Sequence, residues 1–352
     1  MVSYLTVLAW FAMLPALHQL ARSAKTVFVY GMGGGGDVIQ TLPIRNYLQH
    51  LGVERVIIGG VTCQWWPPPE FDPEPQAPFP LAASVWGPCY YALEEVVHGR
   101  WVGSQALQVD GSARVGKRIP AEAQMAELFG VEAVLLSLRG GGQGFLTGLE
   151  AVIQSFSVDL VVGVDIGSDS IYSHTDEVRQ PRTPLADFIS LSGLYRCSVP
   201  SVYGLSGYGC DEELALEDLE RNVGRVMRAG GFLGAYGLTQ EDVADMGRAC
   251  SAMPDPVEKW PMEAAKGNLG LHRMRLSEPW GSLLRITPLQ AMILFFDPKI
   301  LVSAVNRIAA QVGETGSLAE AEATLARAGI LPESYLQRYI QFLRPELYGS
   351  ES

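Results

Sequence analysis

The chain has 352 residues, 48% of them apolar and only 18% charged, against about 25% charged in an average soluble domain. This excludes a disordered or coiled-coil protein and leaves enough length for a large core. Acidic residues number 38 and basic ones 26, for a net charge of −12; that field repels phosphate backbones, and the scattered Lys and Arg residues form no basic run, so nucleic acid is not an expected partner.

Residues 4–17 carry no charge, and Arg22 is the first charged side chain. The stretch is shorter than the ~20 residues of a bilayer span and suits the apolar region of a signal peptide, with Ala21-Arg22-Ser23 as a cleavage site. However, no Lys or Arg precedes it, and Pro15 and His18 interrupt it, so an extra helix packed on the domain is the alternative. Residues 1–24 therefore read as an apolar leader or an extra helix. A cytoplasmic location is favoured, a secretory or organellar one follows if the leader is a signal, and membrane attachment follows only if it is kept as an anchor.

From Lys25 the pattern becomes regular. Residues 26–30 form a short apolar run ending in glycines, which predicts a buried strand. A helix is expected over 37–50, with Pro43 tolerated only near its first turns. Residues 55–58 form the next strand, before Gly59-Gly60. Strand, glycine turn, helix and strand make a βαβ unit, which implies a right-handed crossover and a parallel sheet.

Residues 65–88 concentrate prolines (Pro67-Pro68-Pro69, Pro73, Pro75, Pro78, Pro80) among Trp65, Trp66, Phe71, Phe79 and Trp86. A stretch of that length without its own structure reads as a covering loop over a ligand or a wrap over the core. The βα pattern then repeats: a strand over 131–138, a second glycine turn at Arg139-Gly140-Gly141-Gly142-Gln143-Gly144, a helix over 145–156, and a strand over 159–164 running into Asp165-Ile166-Gly167-Ser168-Asp169. A helix over 183–194 is expected with Thr183 as its cap and Pro184 in its first position, followed by a strand over 199–203. The fold class is α/β: a Rossmann-like, mostly parallel, doubly wound sheet with a helical C-terminal part.

Beyond a soft boundary near Gly204 the pattern is helical, over 212–228, 239–253, 256–266, 299–312, 317–328 and 332–343, with one late strand within 284–296. The expected organisation is a Rossmann-like domain over 25–204, then a mainly helical region over 205–352, packed on the same sheet or forming a second lobe. The five cysteines, Cys63, Cys89, Cys197, Cys210 and Cys250, include no Cys-x-x-Cys pair, which argues against a disulfide framework or a thiolate zinc site.

Three turns carry the candidate chemistry, because all follow strands whose carboxyl ends share one edge of a parallel sheet. In Gly31-Met32-Gly33-Gly34-Gly35-Gly36-Asp37, Gly33, Gly34, Gly35 and Gly36 have no Cβ to block the backbone N–H groups, and a helix N-terminus favours anions. These residues, with Gly141 and Gly142 of the second turn, are the candidate phosphate or ligand binders. The loop lacks the Gly-Lys-Ser/Thr of a Walker A motif and has no acidic residue at the strand end that a dinucleotide fingerprint requires. Asp37 is the informative residue, since a carboxylate there repels phosphate unless a cation or a hydroxyl lies between them; its alternative role is a helix cap. Asp165 and Asp169 are the candidate catalytic pair, suited to Mg²⁺ or general-base work, and Asp37, Asp165 and Asp169 are the candidate metal ligands. His174 reads as a solvated loop residue. Ser-based and Cys-based nucleophile motifs are absent.

Taken together, Gly33-Gly34-Gly35-Gly36-Asp37-Val38, Gly59-Gly60 before a Trp, Val164-Asp165-Ile166-Gly167-Ser168-Asp169, Thr183-Pro184-Leu185-Ala186-Asp187, Gly207-Tyr208-Gly209-Cys210-Asp211-Glu212 and Phe296-Asp297-Pro298 resemble a family of archaeal, bacterial and occasional eukaryotic proteins known only as a domain of unknown function. The resemblance runs from Lys25 to about Asp297. It implies a site at the shared glycine and acidic positions and brings no reaction with it. The family tends to show Gly where this chain has Ser168 and again where it has Glu212.

Three functions fit these residues. The first is an enzyme binding a nucleotide or phosphorylated small molecule, with Mg²⁺ as the expected cofactor. The second is a non-catalytic small-ligand sensor. The third is a two-Rossmann glycosyltransferase, because Gly36-Asp37-Val38-Ile39-Gln40-Thr41-Leu42-Pro43 looks like the opening of heptosyltransferase-type enzymes.

Overall fold

Val27, Phe28, Val29 and Tyr30 are all fully buried, which is how a strand reads when helices cover both of its faces. Phe28 and Tyr30 point into one core, while Val27 and Val29 point into another on the opposite face. The computed structural model describes residues 16–66, 88–176, 180–253, 257–273 and 283–331. Within it, nine strands form one sheet. In chain order they are β1 (Thr26–Gly31), β2 (Arg55–Val61), β3 (Arg100–Gly103), β4 (Ala106–Val109), β5 (Ala133–Leu136), β6 (Leu160–Ile166), β7 (Ser201–Ser206), β8 (Phe232–Gly237) and β9 (Met292–Phe296).

Across the sheet the order is β8-β9-β7-β6-β1-β2-β5-β4-β3. The central strands β7, β6, β1, β2 and β5 are mutually parallel, and antiparallel strands extend both sides. Counting only the parallel strands in chain order, their spatial sequence is third, second, first, fourth, fifth. This is the Rossmann order, with its topological switch point between β1 and β6. The α/β, mostly parallel, doubly wound expectation describes this sheet.

One face is covered by helices Gly141–Phe156, Leu185–Arg196 and Leu216–Arg228, with Pro298–Ala304, Arg307–Val312 and Leu318–Arg327 beyond them. The other face carries Thr41–His50, Ala121–Phe129 and Gln240–Ser251. Helix Ala16–Ser23 also packs there, burying Leu17 and Ala21 against Val27, Val29 and Phe295. Residues 1–15 of the apolar leader lie outside the described residues, as do most of the proline-rich stretch and the helix expected over 332–343. Among the described residues no helix is long and apolar enough to cross a membrane.

Several elements differ from expectation for local reasons. The helix expected from Asp37 begins as a 3-10 segment, Gly35–Gln40, and becomes α-helical only at Thr41–His50. Pro43 therefore stands in the first α-turn, where its missing N–H does little harm. The helix expected from Thr183 starts at Leu185, with no side-chain cap. The single helix expected over 299–312 is broken, because Asn306 leaves helical geometry to cap Ala309 N and donates to Ser170 O at 3.0 Å. Residues 284–296 hold two strands rather than one: Leu283–Ile286 pairs with Gly270–Arg273, and Met292–Phe296 joins the main sheet. The chain after Gly204 thus adds β8 and β9 to the sheet formed before it.

Candidate functional site

At the end of β1 the chain must reverse within a few residues. A Cβ on Gly31 would stand 2.6 Å from the backbone of Asp37 and Val38, so only glycine lets the helix start fold back onto the strand. Gly34 has φ +86 and sits against the carbonyl of Cys63, 2.5 Å from where a Cβ would be. Gly35 lies under the Trp65 indole, and Gly36 under the carboxyl of Glu258. The four glycines therefore do more than expose N–H groups: each admits a particular side chain or carbonyl close to the backbone. Asp37 turns inward and accepts a 2.6 Å hydrogen bond from Gly33 N. One of the loop's amide donors is thus already engaged by the loop's own carboxylate.

The switch point brings three acids together. Asp37 lies in the loop after β1, Asp165 near the end of β6, and Asp187 in the first turn of helix Leu185–Arg196. Their exposures are 5%, 2% and 4%, and each offers a carboxylate oxygen within 4.8 Å of the other two. Asp165 Oδ2 accepts from Tyr203 Oη at 2.9 Å and from Ser170 N at 3.2 Å. Burial pushes the Asp37 carboxyl well above the ordinary range, and the neighbouring Asp165 and Glu258 push it further, against the hydrogen bond from Gly33. Burial raises Asp165 too, while Tyr203 and Ser170 pull it back.

Asp169 belongs to an adjoining group with Asp211, Glu213 and Arg182. Gly167, at φ +108, makes the approach possible, because a Cβ there would stand 2.1 Å from Asp211 Cγ. Ser168 donates to Asp211 from its N at 3.0 Å and from its Oγ at 2.9 Å. Burial, then Glu213, lifts Asp211 to about 7, and a hydrogen bond with Asp169 opposes the rise. Asp169 is raised well above its ordinary value by burial, then by Glu213, Asp211, Asp187 and Asp165. It is 5% exposed, and its Oδ1 has no hydrogen-bond partner among the described residues. Arg182 is the cation of this group, 3.3 Å from Glu213. Glu212 has φ +54, a left-handed conformation that costs a glycine little.

The structure thus joins Asp37 with Asp165, places Asp169 beside them, and adds Asp187, Asp211, Glu213 and Glu258. Asp187 stands in a motif that carries the family resemblance, but taken by itself an acid in a first helical turn reads as a complement to the helix dipole. His174 is exposed. Gly141 and Gly142 stand apart from the acids. β5 is separated from β1 by β2, and the two glycines lie in the first turn of a helix roofed by residues 312–317. A Cβ on Gly141 would meet Thr315 Oγ1 at 2.6 Å, and one on Gly142 would meet Val312 O at 2.4 Å. Thr315 also takes the helix-start donors, Gly142 N at 3.1 Å and Gln143 N at 3.0 Å. This turn is closed by packing, and nothing in its geometry offers a phosphate an amide.

Residues 28–340 match the family described as Protein of unknown function (DUF1152). The chain belongs to that family. No curated protein and no solved structure matches the chain. The DUF1152 match takes in every acid of the switch-point cluster, from Asp37 to Glu258.

Proposed function

We propose that the chain is an enzyme that binds a nucleotide or phosphorylated small molecule through a divalent cation held by Asp37, Asp165 and Asp187. The observation that carries this reading is the convergence of three buried carboxylates, from three separate elements, at the switch point where doubly wound sheets take their ligands. With oxygens within 4.8 Å of one another, each ionised pair repels by roughly 3 kcal/mol or more at an effective dielectric of about 20. A cation removes that repulsion, and an all-oxygen donor set suits Mg²⁺, Mn²⁺ or Ca²⁺. The unpartnered oxygen of Asp169 supplies a further acceptor beside them. The same cation accounts for a phosphate ligand beside a loop whose Gly33 amide is engaged and whose surroundings are acidic. Asp165 would then be a ligand rather than a free base. The glycosyltransferase alternative needs a second Rossmann unit, and the described residues hold one parallel sheet.

The test is a calorimetric titration with Mn²⁺, followed by ADP, ATP and UDP-sugars with the metal or with EDTA. We expect Mn²⁺ to bind the wild type, and Asp187→Asn and Asp37→Asn each to weaken it at least tenfold. The phosphorylated ligand should bind tenfold or more tightly with metal than in EDTA. Equal binding in EDTA, or Mn²⁺ affinity unchanged in both variants, overturns the reading.

A further inference from the structure

The three acids of the proposed cation site are at most 5% exposed, so a ligand reaches them only when something that covers them moves. What covers them is the segment between helix Gln240–Ser251 and β9, described over residues 257–273 and 283–291. It consists of helix Lys259–Ala265, the hairpin of Gly270–Arg273 with Leu283–Ile286, and a 3-10 turn, Pro288–Ala291. None of these joins the nine-stranded sheet. Instead they lie across the carboxyl ends of its central strands. After β1, a Cβ on Gly36 would stand 2.5 Å from each carboxyl oxygen of Glu258. After β7, a Cβ on Gly207 would meet Pro261 at 3.1 Å. At the end of β6, Ile166 packs with Val257, Trp260, Leu284 and Ile286.

This cover is lightly fastened. Its apolar cluster is separate from the three larger cores on the sheet faces. Met262 anchors one side of it in the core beneath helix Gln240–Ser251. Two side-chain amides hold it down: Gln40 Nε2 donates to Glu258 O at 3.0 Å, and Gln290 Nε2 to Tyr208 O at 2.9 Å. Trp260 Nε1 is buried and makes no hydrogen bond among the described residues, so closure leaves a donor unmet. A small separate core with few bonds marks a unit of low local stability.

We propose that this segment is a lid over the cation site, and that Glu258 makes its closure depend on the cation. The lid rests on the cation-site reading above and adds the control of access to that site. With the lid down, the Glu258 carboxyl stands against the loop that carries Asp37, and its charge helps to hold Asp37 above the ordinary range. Without a cation, closure brings a fourth carboxylate to three buried ones, and like charges so close repel. A bound cation reverses the sign of that interaction. A ligand shifts a conformational equilibrium only by interacting differently with its two states, and Glu258 supplies that difference. The lid therefore closes on a loaded site and opens on an empty one.

The test is amide hydrogen exchange in peptides from 257–273 and 283–291, in EDTA and at saturating Mn²⁺, with Mn²⁺ binding measured by calorimetry on the same protein. In EDTA we expect the wild-type lid to exchange at least tenfold faster than β6, and Mn²⁺ to slow it at least fivefold. Glu258→Gln keeps the side chain's shape and removes its charge. It should slow the lid at least threefold in EDTA, leave Mn²⁺ less than a twofold further effect, and leave β6 exchange unchanged. If β6 exchange rises in the variant, its fold is disturbed and the wild-type comparison alone decides. The lid is overturned if a wild type that binds Mn²⁺ exchanges there equally with and without it, or if an intact Glu258→Gln protein behaves as the wild type. Either result spares the cation site. A wild type that binds no Mn²⁺ overturns the cation site and the lid's dependence on it together.

Discussion

A carboxyl group buried without a cation must surrender either its charge or its stability. Glu122 surrenders its charge, since burial moves its pKa from 4.5 to about 8. A folded value above the unfolded one means that the group's contribution is complete below about 4.5 and is lost as pH rises through about 8. The metal-free protein should therefore lose roughly 3–5 kcal/mol from this group between about pH 5 and pH 9. Glu122→Gln, neutral throughout, should flatten that part of the profile in urea melts taken across the range. Parallel profiles for the two proteins would show that Glu122 ionises as freely folded as unfolded. Asp37 and Asp165 face the same choice, but with Asp187 beside them the proposed cation would let all three stay ionised.

The glycine-rich turns differ in what their elements require of them. After β1, glycine makes room for Cys63, Trp65, Glu258 and Asp187 to approach the backbone. At the start of helix Gly141–Phe156, glycine lets residues 312–317 lie across the helix end, and Thr315 caps it. Thr315→Val should therefore cost about 1 kcal/mol in thermal denaturation, the usual value of a lost helix cap. It should leave Mn²⁺ and nucleotide affinity unchanged. A loss of ligand affinity at unchanged melting temperature would return the Gly141-Gly142 turn to the site.

Across the whole molecule, the acids bridge the two halves of the doubly wound sheet. Asp37 follows β1, and Asp165 and Asp187 belong to β6 and the helix beyond it, so a cation held by all three would tie both sides of the switch point. Amide hydrogen exchange should then slow at least tenfold on Mg²⁺ addition in peptides covering 31–40 and 165–171 together. Peptides from helix Gly141–Phe156 should not respond. Protection in only one of the two turns would mean that the cation does not span the switch point.

Much of this architecture is local and can be read from the chain. Strands β1, β2, β5, β6 and β7 are short apolar runs closed by glycine or polar residues, and that pattern follows from a strand buried on both faces. Asp37 and Asp165 stand out for the same reason, as acids at strand ends where apolar residues stop. The edge strands are less legible. β8 carries Gly234 and a bulge beside Phe232, while β3 and β4 are only four residues each, too short for a period to show. Which turns meet is a different matter, because it depends on strand order rather than on any local pattern. The crossover that sets β6 against β1 brings Asp165 and Asp187 to Asp37, and leaves the Gly141-Gly142 turn on the far side of β2. The chain alone therefore determined the sheet's parallel strands and the acidic character of its turns; the tertiary structure added the edge strands and decided that Asp187 completes the cluster and that Gly141 and Gly142 stand apart from it.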